Sequence, residues 1–125
     1  LPEACRLLDI EALDEEGMEL AAKELHHLGP DSVLVKGGHL KGAANDLLFD
    51  GENFSWFKAP HLNQKNTHGT GCTLSSAIAA HLALGYDLKT TVEKSKDYLF
   101  GAIEHAFPLG HGVGPVHHFY RIAYR

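Results

Sequence analysis

The stretch from residue 66 to 85, NTHGTGCTLSSAIAAHLALG, limits the folds open to this chain more than any other. Gly69 and Gly71 carry no Cβ, so the backbone can turn sharply there and approach a ligand closely. The small and apolar residues that follow predict a helix over about 70–84, closed by Gly85. The first N–H groups of a helix have no intrahelical acceptor, and the helix dipole adds partial positive charge beside them. The stretch therefore predicts either a site for an anion, phosphate above all, or an ordinary tight turn.

Cys72 lies at the junction between the glycines and this helix. A helix N-terminus stabilises a thiolate, which can act as a base or as a nucleophile. The other interpretation is a small buried apolar residue, which is what many free cysteines are. Cys5 lies in a leucine-rich helical stretch and is expected in the core. Two cysteines do not make a disulfide framework, so we expect a reducing, cytoplasmic setting.

The composition indicates one modest globular domain, or a piece of one, in 125 residues. A formal charge of −5 without a cluster of lysine or arginine argues against a nucleic-acid partner and an anionic membrane surface. The sequence has no apolar run long enough to span a bilayer. It opens with Leu1-Pro2-Glu3 and not with an initiator methionine, and we expect a cut inside something larger.

Caps, turns and hydrophobic spacing predict an α/β arrangement for the remainder of the chain. In order, they predict a helix opening at Pro2, a helix capped by Asp14 and ended by Gly29-Pro30, a strand in SVLVKGG (32–38), a hairpin over 45–59 around Asp50-Gly51, and a helix capped by Asp87 and broken by Pro108. The inward stripe of the last helix is expected at Leu88, Val92, Ser95, Leu99, Ile103 and Ala106. The tail after it is expected to cross a site as a loop and to finish as a short strand or helix.

The segment NTHGTGCTLSSAIAA closely resembles the C-terminal signature of the hydroxymethylpyrimidine/phosphomethylpyrimidine kinases of thiamine biosynthesis, in the ribokinase-like superfamily. Four further segments resemble the family in the same order: LPEA (1–4), VLVKGGH (33–39), DLLFDG (46–51) and GHGVGPVHHF (110–119). The resemblance implies a three-layer, ribokinase-like α/β sandwich. Residues 1–125 would be the C-terminal, nucleotide- and phosphate-binding part of its doubly wound sheet.

The resemblance also implies roles for the residues of the glycine stretch. Gly69, Thr70 and Gly71 would form the anion hole that holds the transferring phosphoryl group. Cys72 occupies the position whose side chain takes the proton from the acceptor hydroxyl, which is the aspartate position in most of the superfamily. Phosphoryl transfer depends chiefly on positioning and charge stabilisation, so these roles are chemically reasonable.

Two charged residues outside this stretch receive roles from the resemblance. Lys36 would lie near the nucleotide phosphates, although a lysine at a strand end is otherwise simply solvated. Glu3 would belong to an Asn-x-x-Glu motif that organises Mg²⁺ and phosphate, although it is otherwise a first-turn helix carboxylate. The asparagine of that motif would precede Leu1. The implied cofactors are ATP and Mg²⁺.

Glycines and histidines in the second half receive no chemical role. The tail glycines are expected to form structure near the site; they are Gly110, Gly112 and Gly114. The histidines lack the spacing with a carboxylate or cysteine that would indicate a zinc site; those considered are His68, His81, His105, His117 and His118.

Three classes of function remain open from the sequence. The leading one is an ATP-dependent kinase for 4-amino-5-hydroxymethyl-2-methylpyrimidine, its monophosphate or both, with a pyridoxal-type vitamin kinase as a close variant. The second is a non-catalytic nucleotide-binding remnant, and the last is a cysteine hydrolase using Cys72 with His68. Because family kinases have an N-terminal half that carries most pyrimidine contacts, we expect this chain alone to be inactive. An exposed sheet edge would favour self-association into a homo-oligomer.

Overall fold

A computed structural model describes residues 2–9, 14–37, 45–58, 70–106 and 114–122. The chain divides into two compact units, Leu1–His61 and Leu62–Arg125. The first unit is α/β and the second is helical with an irregular tail. The α/β class expected from the sequence is confirmed.

The described residues of the first unit form two helices and a small antiparallel sheet. Its elements are α1 (Pro2–Leu8), α2 (Glu15–His26), β1 (Val33–Lys36), β2 (Asp46–Phe49) and β3 (Phe54–Phe57). The strand order is β1-β2-β3, and both pairings are antiparallel. The strand and the hairpin predicted from the sequence are therefore confirmed.

Local side-chain hydrogen bonds set the boundaries of these elements. Asp14 caps α2, since its carboxylate accepts the N–H of Gly17 at 2.8 Å. Asp50 shapes the hairpin turn by accepting the N–H groups of Glu52 at 2.9 Å and Asn53 at 2.7 Å. Gly51 takes a φ of 96°, a left-handed conformation that favours glycine.

The core of the first unit lies between α2 and one face of the sheet. Met18 and Ala22 of α2 are fully buried against Val35, Leu47 and Phe49. Cys5 is half-buried and packs against this cluster, as the sequence predicted for it. Because side chains alternate along a strand, the neighbouring residues of each strand point away from α2.

The second unit contains α3 (Thr70–Ala83) and α4 (Leu88–Glu104), which pack on each other. Gly85 closes α3 with a φ of 93°, and the carboxylate of Asp87 caps α4 by accepting the N–H of Thr90 at 2.8 Å. Both boundaries agree with the sequence prediction. No helix of the described residues is long and apolar enough to cross a bilayer.

The tail of the second unit differs from expectation. Residues 114–122 run along α4 with turns and a single bridge residue, and they form no strand or helix of their own. The N–H of His117 donates to the carbonyl of Ala102 at 2.8 Å, and the ring of Tyr120 lies against Gly101. Only Val92 and Ser95 of the predicted stripe are buried, whereas Leu88, Leu99, Ile103 and Ala106 are half-buried. The other buried residues of α4 are Thr91, Gly101 and Ala102, the last two where the tail contacts the helix.

Candidate functional site

The predicted anion hole falls at the start of α3. Thr70, Gly71 and Cys72 are the first three residues of the helix, a position where an α-helix offers their N–H groups no intrahelical acceptor. The thiol of Cys72 is exposed, so the interpretation as a buried apolar residue is wrong. Gly69 and His68 lie outside the described residues, as do Gly110 and Gly112.

An open cavity of about 460 Å³ lies beside Cys72. It extends along one face of α3, since four of its lining residues are one or two helical turns from Cys72. The lining residues are Cys72, Thr73, Ser76, Ala77, Ala80, His81, Tyr98 and His118. The thiol is therefore next to a space large enough for a small ligand.

His118 of the tail makes two hydrogen bonds with residues that line this cavity. The Nε2 atom of His118 lies 2.9 Å from the hydroxyl oxygen of Thr73, the residue after Cys72. The hydroxyl of Tyr98, on α4, donates to the carbonyl oxygen of His118 at 2.5 Å. The tail thus links the first turn of α3 to α4.

Tyr98 is a hydrogen-bond donor at neutral pH. Burial raises the pKa of its hydroxyl above the usual value, the neighbouring Tyr120 adds to the rise, and Arg121 opposes it. Arg121 also lies over the rings of both tyrosines and pairs with Asp97 at 3.1 Å. The protonated hydroxyl is the form that the carbonyl of His118 requires.

The far end of the cavity is formed by His81. Its Nδ1 atom lies 2.7 Å from the carbonyl oxygen of Ala77 and 3.1 Å from the hydroxyl of Ser95, which is fully buried on α4. His81 and His118 therefore have hydrogen-bond partners within the unit. Among the described residues, no three histidine, cysteine or acidic side chains are grouped to hold a metal ion.

Lys36 and Glu3 belong to the first unit. Lys36 is the last residue of β1 and is exposed. Glu3 is exposed in the first turn of α1. Mg²⁺ that accompanies a nucleotide usually takes one or two protein carboxylates, with phosphate and water as its other ligands. A single exposed carboxylate such as Glu3 fits that requirement.

The backbone after Lys36 is tightly enclosed. The N–H of Gly37 donates to a carboxylate oxygen of Asp46 at 3.0 Å. A Cβ at Gly37 would overlap the backbone carbonyl oxygen of Asn45 and would lie 3.1 Å from Cε of Met18. Glycine is therefore required at residue 37 by close packing.

The sequence predicts where α3 starts but not which residues support that start. Thr73 and Tyr98 carried no signal in the sequence, because a hydroxyl in a helix has many uses. His118 lies in the GHGVGPVHHF segment, which predicts no role for it beyond a polar position. The pattern around Asp46 predicts only a strand of the hairpin.

A model of the phosphomethylpyrimidine kinase family matches residues 1–117. The thiamine biosynthesis bifunctional protein ThiED of Geobacter sulfurreducens is 51% identical over 119 residues, which cover 94% of this chain and 24% of that protein. The hydroxymethylpyrimidine/phosphomethylpyrimidine kinase of Streptomyces coelicolor is 47% identical over 118 residues, 94% of this chain and 44% of that kinase.

A solved structure gives the same picture of the fold. The pyridoxal kinase of Bacillus subtilis, crystallised as an ADP complex, superposes with a TM-score of 0.90 at 36% identity and covers 97% of this chain. This chain covers 48% of that kinase, so it spans less than half the length of each of these three relatives. The ribokinase-like α/β architecture expected from the sequence is thus confirmed, and the chain belongs to the phosphomethylpyrimidine kinase family.

Proposed function

We propose that this chain is the nucleotide- and anion-hole half of an ATP-dependent kinase of thiamine biosynthesis. The acceptor is 4-amino-5-hydroxymethyl-2-methylpyrimidine, its monophosphate or both. The observation that carries the proposal is the exposed thiol of Cys72 in the first turn of α3, next to Thr70 and Gly71 and at the edge of an open cavity.

The reaction assigns one task to each part of this helix start. The acceptor hydroxyl oxygen forms a bond to the γ-phosphorus of ATP while the bond from that phosphorus to the bridging oxygen of ADP breaks. The hydroxyl proton passes to the thiolate of Cys72, and ADP leaves with the electron pair of the broken bond. The N–H groups of Gly69, Thr70 and Gly71 stabilise the charge on the transferring phosphoryl oxygens.

The proposal gives separate tasks to Lys36 and Glu3, which belong to the first unit. The ammonium of Lys36 neutralises charge on the nucleotide phosphates. Glu3 supplies a carboxylate toward Mg²⁺. Held there, the ion would supply positive charge that offsets the charge of the phosphates.

The substrate assignment follows the relatives and not the described side chains. Two of the relatives are named for thiamine biosynthesis or for the pyrimidine kinase, and the third is a pyridoxal kinase crystallised with ADP. We propose that the pyrimidine contacts come mainly from an N-terminal half, that the enzyme is cytoplasmic, and that it forms a homo-oligomer.

The experiment uses a hybrid kinase in which this sequence replaces the matching 118-residue segment of the Streptomyces coelicolor relative. The hybrid and the 125-residue chain are each assayed for ADP release with the hydroxymethylpyrimidine, its monophosphate and pyridoxal. We expect ATP-dependent transfer to at least one pyrimidine in the hybrid and none in the chain alone. The parent kinase is the positive control.

Other outcomes separate the alternatives. A folded hybrid that binds Mg-ADP but transfers no phosphate would favour a non-catalytic remnant. A kcat/KM for pyridoxal more than about tenfold higher than that for either pyrimidine would indicate a pyridoxal kinase instead. Covalent trapping of Cys72 by an electrophilic ester, with turnover that needs no ATP, would favour the cysteine hydrolase.

A further inference from the structure

Asp46 is the one ionisable residue among the buried polar residues that the structure describes. Its relative exposure is 7%, and the others are Thr73, Thr91 and Ser95. Carboxylates are rarely buried unless they are paired, because removing the charge from water costs free energy. The burial of Asp46 therefore calls for a reason in its surroundings.

Those surroundings lie at the end of β1. Asp46 is the first residue of β2 and stands directly opposite Lys36 in the antiparallel register. Residues directly opposite each other share a face of the sheet, so Lys36 and Asp46 are neighbours on the face that points away from α2. The carboxylate of Asp46 also accepts the N–H of Gly37 at 3.0 Å.

The backbone at Gly37 is also fixed by close packing. Gly37 packs against the carbonyl oxygen of Asn45 and the thioether of Met18, with no room for a side chain. The amide of Asn45 donates to Glu15 of α2 at 3.3 Å. The peptide after Lys36 is therefore fixed by a charge-assisted hydrogen bond and by close packing, although Lys36 itself is exposed.

We propose that Asp46 is a positioning residue for Lys36. Its carboxylate fixes the Lys36–Gly37 peptide at the end of β1 from the strand position directly opposite Lys36, so that Lys36 is presented to nucleotide phosphates in one preferred orientation. Preorganisation of this kind improves nucleotide binding because less conformational entropy is lost when the phosphates arrive. The proposal rests on the proposed kinase function.

The test is a double-mutant cycle on the hybrid kinase, with KM for ATP and kcat as readouts. Lys36→Ala is expected to raise KM for ATP about tenfold, as loss of a phosphate contact would. Asp46→Ala is expected to raise KM by about three- to tenfold with a smaller effect on kcat. In the Lys36→Ala background, Asp46→Ala is expected to change KM less than twofold, since there is then no ammonium to position.

Two further variants separate positioning from stability. Asp46→Asn keeps an oxygen acceptor for the N–H of Gly37, so its KM is expected to lie within about twofold of the wild-type value and below that of Asp46→Ala. Asp50→Ala is the matched control, because Asp50 also accepts backbone N–H groups but lies exposed in the hairpin turn. It is expected to change the unfolding midpoint without changing KM. If Asp46→Ala does not fold, Asp46→Ser takes its place, since its uncharged hydroxyl lies one bond nearer the backbone than the carboxylate oxygen that accepts the N–H of Gly37.

Each outcome has one interpretation. An unchanged KM in a folded Asp46→Ala enzyme, or effects of Asp46→Ala and Lys36→Ala that are fully additive, would overturn the positioning role. Absence of ATP turnover in the otherwise wild-type hybrid would contradict the proposed function, and calorimetric titration of Mg-ADP would then replace KM as the readout for Asp46. An unchanged KM for Lys36→Ala in an active hybrid would remove the assigned task of Lys36, and with it this proposal.

Discussion

The end of β1 and the start of α3 both present a predicted site residue beside small residues, yet they are supported in different ways. The end of β1 is enclosed by backbone: Gly37 packs on the carbonyl of Asn45 and bonds to the buried Asp46. The start of α3 borders an open cavity and is linked to the tail through Thr73 and His118. Lys36 therefore precedes a peptide that is fixed by backbone packing, whereas Cys72 precedes a residue that is linked to the tail by side chains.

This difference suggests a division of tasks. A lysine that meets phosphates gains from a fixed backbone, because less conformational entropy is then lost when the phosphates bind. A group that receives a proton must be reached by a substrate, so it benefits from adjacent space. The rigid support at the end of β1 therefore suits the proposed phosphate contact of Lys36, and the open cavity at the start of α3 suits the proposed proton acceptor Cys72.

The largest expected effect on stability comes from Gly37→Ala. The new methyl group would overlap the backbone carbonyl of Asn45, and backbone atoms there can shift only with the sheet. We expect a loss of about 1–3 kcal/mol in the free energy of unfolding, as for other overpacked positions. Urea unfolding of the 125-residue chain, followed by circular dichroism, measures it.

Gly101→Ala is the matched control for that substitution. A methyl group at residue 101 would also overlap a neighbour, but the neighbour is the ring end of Tyr120 in the tail, which can swing away. Alanine also favours the helix by up to about 1 kcal/mol over glycine. Global stability should therefore change little, while the N–H of His117, bonded to Ala102, exchanges faster with deuterium. Equal losses of stability at residues 37 and 101 would contradict the contrast between the two regions.

The smallest effect concerns two exposed carboxylates, one in each unit. The N–H groups of Asn53 and Glu52 lower the pKa of Asp50 below its usual 3.8. The N–H and the side-chain hydroxyl of Thr90 likewise lower the pKa of Asp87. A lowered folded-state pKa adds stability above the unfolded-state value, and that stability is lost as pH falls through the folded-state value. The stability advantage of the wild type over Asp50→Asn and Asp87→Asn should therefore be present at pH 7 and shrink below about pH 4.

Urea midpoints at pH 7 and pH 3 measure that change. We expect a similar pH dependence of stability for both variants, because both carboxylates are exposed and accept backbone N–H groups. A stability difference that does not change with pH would mean that the charge of these carboxylates does not contribute at either position.

Much of the fold could be predicted because its signals are local. Asp14 and Asp87 cap the N–H groups three residues after them, and Asp50 shapes its turn within three residues. Gly85 ends α3 through its own backbone conformation. Such contacts depend on short stretches of chain, which a single sequence displays directly.

The supporting residues could not be predicted because their contacts join distant parts of the chain. Thr73 and His118 are 45 residues apart, and Tyr98 and His118 are 20 apart. The sequence predicts that the tail finishes as a short strand or helix. Residues 114–122 instead form turns along α4, where Tyr120 stacks on His105 with ring centroids 5.0 Å apart. Only tertiary packing decides between these arrangements.

The most direct test of the central claim is the rate of phosphoryl transfer in a single turnover of the hybrid kinase with Cys72 replaced. If Cys72 takes the proton of the acceptor hydroxyl, Cys72→Ala should slow transfer by roughly 100- to 10,000-fold. Its affinity for Mg-ADP should stay within about twofold, Cys72→Asp should recover much of the rate because a carboxylate can take the same proton, and Cys5→Ala should match the wild type. Transfer by a folded Cys72→Ala enzyme at the wild-type rate would contradict the account.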